Sequence, residues 1–366
     1  MSEHVNTELD NAIHPGQILN QALKELGISQ KELSDAIGKS TPVVNDIIKG
    51  KRNISPEIAY LLEAVIDGIS AEEWLALQGH YDLSQISKNE ELIKRKESIG
   101  SWEQLKAVLN ISYLKKKIGL IGSVEENVSR IYKYFGVTSI DAIKKISSEA
   151  TSYFHMSSRH QTDPINLMTW MILVRKKSST EILDTEFNKS SIESLVRELN
   201  GVFYKNEDTS INIHKTLNKY GIKYIEEEHL DKTPVDGYSF WDGKNPTIAV
   251  TMRYNRIDNY AFAIMHELGH IALHLTNDKA QNFVDSETPN EEYGKEKEAN
   301  DFAAISLRGN APLEDYFRKW INPFSIKGEI IRVSDKYKIH KSIITGQYQH
   351  YKKSYAICRD LLDSIH

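Results

Sequence analysis

The sequence predicts a mainly α-helical chain with a small α+β region toward its C-terminal end. Three observations predict it. Residues 13–82 break into short apolar-periodic stretches separated by caps and glycines. Residues 84–200 are rich in Lys, Glu, Ile and Leu and read as further helices, with turns near Gly100, Gly122 and Gly136. Residues 201–308 mix short β-branched and aromatic runs with two longer helical stretches, the first of which contains His266-Glu267-Leu268-Gly269-His270.

In the first segment, Ile18, Leu19, Ala22, Leu23 and Leu26 recur at helical spacing over Gly16–Leu26, and Gly27 stops the helix. Ser29 with Glu32 makes a capping-box pattern for a helix ending at Ile37. A third helix starts at Thr41-Pro42 and stops at Gly50, a fourth opens at Ser55-Pro56-Glu57 and runs to Ile66, and a fifth covers Ala71–Leu77. Farther on, Ile222–Ile225, Tyr238–Trp241 and Thr247–Thr251 read as strands, with Asp242-Gly243 as a hairpin turn. Helices are expected over Asn255–Leu275 and Glu292–Leu307, followed by a helical tail. The expected domains are 1–83, 84–200 and 201–366.

Composition bounds the classes. The chain has 366 residues, 40% apolar and 27% charged, as ordinary globular proteins do. Cys358 is the single cysteine, which excludes an internal disulfide and a multi-thiolate metal site. The first residues lack the apolar core of a signal peptide, and the longest apolar run, Ile165–Val174, is too short to span a bilayer. The expectation is a soluble, cytoplasmic protein with no membrane partner. The net charge of -5 gives no global attraction to nucleic acid, so a DNA site must be a local patch.

His266 and His270, four residues apart on a helix, place two imidazoles on one face where they can share an ion. Glu267 stands beside them as the base that takes a proton from activated water, and the implied ion is one Zn2+ per chain. Gly269, a poor helix former, suggests close approach of another element. His274 continues the series but lies about 12 Å along a straight helix from His266, too far to share the ion. The third ligand is expected on the next helix. There Glu298 shares a stripe with Phe302 and Ile305, whereas Glu296 points about 160° away, so Glu298 is chosen. His274, Asp285 and Asp301 are read as groups that orient or pack against a ligand. With a Glu as third ligand the site is zincin-like, of the gluzincin type. Arg253, Tyr254, Tyr260 and Tyr293 are open alternatives for stabilising an oxyanion.

Residues 30–50 have a helix-turn-helix pattern, with Val44, Ile47 and Ile48 burying one face of the second helix. Gln30, Thr41 and Asn45 are nominated for base contacts, with Ser40 beside them, and Lys39, Lys49, Lys51 and Arg52 for phosphates of a double-stranded operator. Residues 1–80 hold 6 Lys+Arg against 12 Asp+Glu. Binding per protomer is therefore expected to be weak and salt-sensitive, and helped by homodimerisation.

Two resemblances follow. His14-Pro15-Gly16-Gln17-Ile18-Leu19, Ser29-Gln30-Lys31-Glu32-Leu33, Gly50-Lys51-Arg52-Asn53-Ile54-Ser55-Pro56 and Trp74-Leu75-Ala76-Leu77-Gln78 resemble HigA-type antitoxins of the XRE helix-turn-helix family. Arg253, Asp258, His266–His274 and Glu296-Lys297-Glu298-Ala299-Asn300-Asp301-Phe302-Ala303-Ala304 resemble the ImmA/IrrE metallopeptidases, and the tail from Ile339 to Gln349, with Gly346, resembles the end of such proteins. The second resemblance implies that the Glu directly before Ala299 is a metal ligand. Together they imply a DNA-binding regulator carrying a zinc endopeptidase that cuts one specific protein, such as a repressor. The alternative is a HigA-like antitoxin or repressor, with a toxin as partner, in which the peptidase-like domain only senses or binds.

Overall fold

The computed structural model describes residues 12–151, 163–251, 253, 255–286, 294–320 and 325–366. The chain divides into two compact units, Met1–Ser101 and Trp102–His366. Among the described residues no helix is long and apolar enough to cross a membrane.

The first unit is the expected set of helices: α1 (Pro15–Leu26), α2 (Gln30–Ala36), α3 (Thr41–Ile48), α4 (Pro56–Glu63) and α5 (Ala71–Ile86). Ser29 and Ser70 form capping boxes with Glu32 and Glu73, satisfying N–H groups that the helix leaves unpaired. Leu19, Leu23, Leu33, Val44, Ile47, Leu62 and Trp74 make its core. Helix α5 runs past the expected stop at Leu77. Gln78 is buried and bridges Ile54 N–H and Asp82, so tertiary contact carries the helix through Gly79. His14 caps α1 by accepting from Gly16 N–H and meets Tyr81 edge-on. A Cβ at Gly16 would sit 2.7 Å from the carbonyl carbon of Ile47, so glycine alone lets α1 lie this close to α3.

Helix α6 (Glu90–Val108) leads into α7 (Ile111–Ile118), α8 (Val124–Phe135), α9 (Ile140–Thr151) and α10 (Pro164–Thr180). Helix α10 is apolar nearly all round because it is covered on two sides. Ile172 and Leu173 join the core of α6–α9, while Leu167, Trp170, Met171 and Val174 pack on Ile225, Val235, Tyr238 and Phe240 of the sheet. The second unit thus takes in most of the segment read from the sequence as a separate helical region.

Then come α11 (Ile192–Lys205), α12 (Thr209–Lys219), β1 (Lys223–Glu226), β2 (Val235–Asp242), β3 (Asn245–Val250), α13 (Ile257–His270), β4 (Asn282–Ser286), α14 (Lys295–Arg308), α15 (Leu313–Lys319), α16 (Ile326–Tyr337) and α17 (Lys341–Lys352). Among the described residues the sheet has four strands in the order β1-β3-β2-β4, with β1 parallel to β3 and the other pairs antiparallel. Three strands were expected. The fourth, β4, is five residues long, and its pairing with β2 supplies the order that its own pattern does not announce.

Helix α13 is buried on almost every side and continues into a π turn at Ile271–Leu275. A Cβ on Gly269 would stand 3.1 Å from Ala299 Cα, confirming that the glycine admits a second helix, α14. Gly346 of α17 does the same on another face, where a Cβ would lie 2.7 Å from Asp258 Oδ2. That contact gives the tail motif its place, against the start of the histidine helix.

Candidate metal centre and helix-turn-helix face

His266 and His270 lie one turn apart on α13, fully buried, with Nε2 atoms 3.0 Å apart. Glu296 reaches over them from the first turn of α14: its Oε2 is 3.3 Å from His266 Nε2 and its Oε1 3.4 Å from His270 Nε2. These three side chains form the one group of metal-ligating residues found among the described residues. Ligands held about 2.0–2.1 Å from a tetrahedral ion stand about 3.3 Å apart, which the three observed separations match. The chemistry of the donor set fits too. Burial pushes the His270 imidazole down to about 4, so it is neutral at pH 7 and offers a lone pair. Burial pushes the Glu296 carboxyl up, but the two imidazoles beside it outweigh this and hold it well below the usual carboxylate range, so it is an anionic donor.

Glu296, not Glu298, is therefore the third member, and the expected ligand is corrected. Glu298 is exposed and lies 3.7 Å from His274 Nε2. The inward face of α14 is set by Ala299, Ala303, Ser306 and Leu307. Ile305, used to orient the stripe from sequence, is 53% exposed. Ile305 misleads here, because α14 meets α13 over Gly269 through the face that carries Ala299 and Phe302, whose Cδ1 would stand 3.2 Å from a Cβ at Gly269. Glu296 shares that face.

Three neighbours complete the centre. Asn300, one turn beyond Glu296, faces its Oδ1 to His266 Nδ1 at 3.0 Å, so the ring carries its proton there and presents Nε2 to the cluster. Phe283 of β4 stacks on His270, centroids 4.1 Å apart and 11° from parallel. Glu267 is fully buried next to His266, lying along Gly237 of β2, where a Cβ would come within 2.7 Å of Glu267 Cγ. Glu267 was expected here from the sequence, whereas neither Asn300 nor Phe283 was named as part of the site. The signal for Asn300 was its spacing of four from Glu296.

His274 is buried, and its Nε2 donates to the Lys295 carbonyl at 3.1 Å, securing the start of α14 rather than joining the cluster. Asp301 is exposed, and the place expected for it or Asp285 beside a histidine is taken by Asn300. Asp285 pairs through its backbone with Gly237, and its side chain lies outside the described residues. Tyr260 is bound to Tyr224 Oη at 2.6 Å and to Glu226 at 3.1 Å. Arg253 stands 4.0 Å from Asp236. Tyr254 and Tyr293 lie outside the described residues.

In the first unit, α2 and α3 form the helix-turn-helix around Gly38, whose φ of +63° favours glycine. Ser40, Thr41, Lys49, Lys51 and Arg52 are exposed, and Gln30, Lys39 and Asn45 half-buried. Thr41 Oγ1 shares a 3.1 Å hydrogen bond with Ser34, and Lys39 pairs with Glu57 at 2.7 Å. The loop beyond α3 is folded back by the Asp46 carbonyl, which accepts from Lys51 and Arg52 N–H groups. That fold gathers Lys49, Lys51 and Arg52 at one end of the helix.

Both units match known families. Residues 19–74 match the helix-turn-helix family model and residues 218–313 the IrrE N-terminal-like domain. Virulence-associated protein A' of Dichelobacter nodosus is 38% identical over 80 residues, covering 22% of this chain and 70% of that protein. The uncharacterized HTH-type transcriptional regulator YddM of Escherichia coli K12 is 32% identical over 81 residues, covering 22% and 85%. Among solved structures, the antitoxin HigA of Pseudomonas aeruginosa with the higBA promoter is 38% identical, covers 23% of this chain and 94% of its own, and gives a TM-score of 0.22. The chain belongs, through its first unit, to the XRE helix-turn-helix family, and its second unit carries an IrrE N-terminal-like domain of the M78 peptidase family.

Proposed function

We propose that the chain is a DNA-binding regulator whose second unit is a zinc endopeptidase acting on one specific protein, such as a repressor. The observation that carries the reading is the convergence of His266 Nε2, His270 Nε2 and the Glu296 carboxylate, with the buried Glu267 beside them. Zinc held by these three residues would supply Lewis-acid activation of a water molecule and of the peptide carbonyl. Glu267, buried beside His266, would hold the proton taken from the attacking water and pass it to the departing amine. Asn300 fixes the His266 tautomer, and Phe283 fixes the His270 ring plane. Gly237 of β2 lies directly against Glu267, whose side chain is fully buried.

The first unit supplies the address. Asn45, Ser40 and Gln30 face base edges, and Lys49, Lys51 and Arg52 face phosphates. Thr41 acts in setting the angle between α2 and α3 through Ser34, and Lys39 must leave Glu57 to reach a phosphate. A homodimer on a two-half-site operator would raise the modest affinity of an acidic domain.

The test combines metal analysis with cleavage of proteins encoded beside this gene. One zinc per chain, and cleavage lost on Glu267→Gln with zinc retained, is the expected result. A zinc-loaded chain that binds operator DNA and cuts none of them would favour a binding role for the second unit.

A further inference from the structure

Two helices carry one stripe away from the metal centre. Behind His266 on α13 come Ala263, Phe262 and Asn259. Beyond Glu296 on α14 come Asn300, Ala304 and Leu307. At 1.5 Å per residue, Ala263 lies about 4.5 Å along the axis from His266, and Ala304 about 12 Å from Glu296. These residues open into a cavity of ≈ 600 Å³ whose far wall is built by Leu313 and Phe317 of α15 and Ile343, Gly346 and Tyr351 of α17. That is ample room for a large side chain and part of its backbone. Among the charged lining groups, Arg256 pairs with Asp258, Arg308 with Glu314 and Arg253 with Asp236, and Asp301 and His350 stand beside them. The larger share of the lining is apolar and aromatic, led by Phe262, Ala304, Leu307, Leu313, Phe317 and Tyr351, with Asn259, Asn300 and Gln347 among its polar members. Asn300 lines the cavity and also holds His266, so the cavity and the metal centre share a residue. Most of the far wall lies beyond residue 313, outside the segment that matches the IrrE N-terminal-like domain.

We infer that this cavity takes a bulky apolar or aromatic side chain of the polypeptide held at the metal centre. An extended peptide advances about 3.3 Å per residue, so the side chain belongs to a residue within two to four positions of the bond presented to Glu267. Small residues at 263, 304 and 346 leave the space, and α15 and α17 close it. The inference rests on reading the metal centre as a peptidase site, and its test is a binding measurement that does not need turnover.

The probes are fluorescein-labelled dodecapeptides of alanine and serine carrying one Phe, Leu, Trp, Lys, Glu or Ala at a central position. They are titrated against the zinc-loaded full chain bearing Glu267→Gln. Phe, Leu and Trp peptides should bind at least about tenfold more tightly than the Ala peptide, the scale of an apolar pocket. Ala304→Phe, which fills the cavity, should reduce that preference to less than about threefold. Tyr351→Ala, at the exposed rim, should weaken the Phe peptide with no demand on folding. Zinc content checks that each variant keeps its metal centre. Equal binding of all six peptides, or a preference that persists in both variants, would overturn the pocket assignment. A preference that is present while the unsubstituted zinc-loaded chain cuts none of the proteins encoded beside its gene would overturn the peptidase reading and leave the pocket standing.

Discussion

Asn300 Oδ1 and His266 Nδ1 stand 3.0 Å apart, joining the first turns of α14 to the middle of α13 through a single hydrogen bond. This bond decides which nitrogen of His266 is free for a ligand. Removing it in Asn300→Ala should lower zinc affinity by about 10–100-fold, as loss of a partner behind a metal-bound histidine does. A competitive chelator titration reads this directly. Asn300→Asp keeps an acceptor in the same place and should keep most of the affinity.

The two glutamates of α14 make the sharpest test of the metal centre. Glu296→Gln should abolish stoichiometric zinc, and Glu298→Gln should leave it intact, because Glu298 lies beside His274 and the α14 terminus. Metal analysis of both purified variants decides it. Loss of zinc in the Glu298 variant alone would refute the assignment.

Glu267 depends on a glycine of another element. Gly237→Ala would put a methyl group 2.7 Å from Glu267 Cγ and 2.8 Å from its Cδ. The carboxylate must move, and displacement of a general base of this kind costs about 10²-fold in rate. Cleavage should fall on that scale with zinc unchanged, since the atoms nearest the new methyl group all belong to Glu267.

Gly16→Ala tests why the first unit carries its opening motif. The added carbon would collide with the backbone carbonyl of Ile47, which cannot rotate away. Overpacking against backbone should cost about 3 kcal/mol or more. Denaturant unfolding followed by the fluorescence of Trp74, fully buried in that unit's core, reports it.

The basic cluster after α3 predicts a salt effect. Binding to a mixed-sequence 30-bp duplex should weaken in Lys51→Ala and in Arg52→Ala. The slope of log affinity against log salt should shrink by about one in each, as loss of a phosphate contact requires. Lys39→Ala should change the slope less, because Glu57 already pairs with that ammonium group.

Much of the molecule was legible in advance because its signals are local. The caps at Ser29 and Ser55, the glycine stop after α1 and the β-branched run of β3 are fixed by backbone geometry within a few residues. Helix α5 and strand β4 were misjudged because their extent depends on partners far along the chain, Ile54 for the one and β2 for the other.

The site divides along the same line. The sequence by itself determined that His266 and His270 share a face and that Glu267 sits beside them, since a helix places residues four apart one above the other whatever surrounds it. Gly269 announced a close neighbour in the same way. Only the tertiary structure decided which side of α14 that neighbour presents. The choice follows from how near two backbones come at Gly269 and Ala299, which admits the alanine face with Glu296 and Asn300 and turns Glu298 out toward His274.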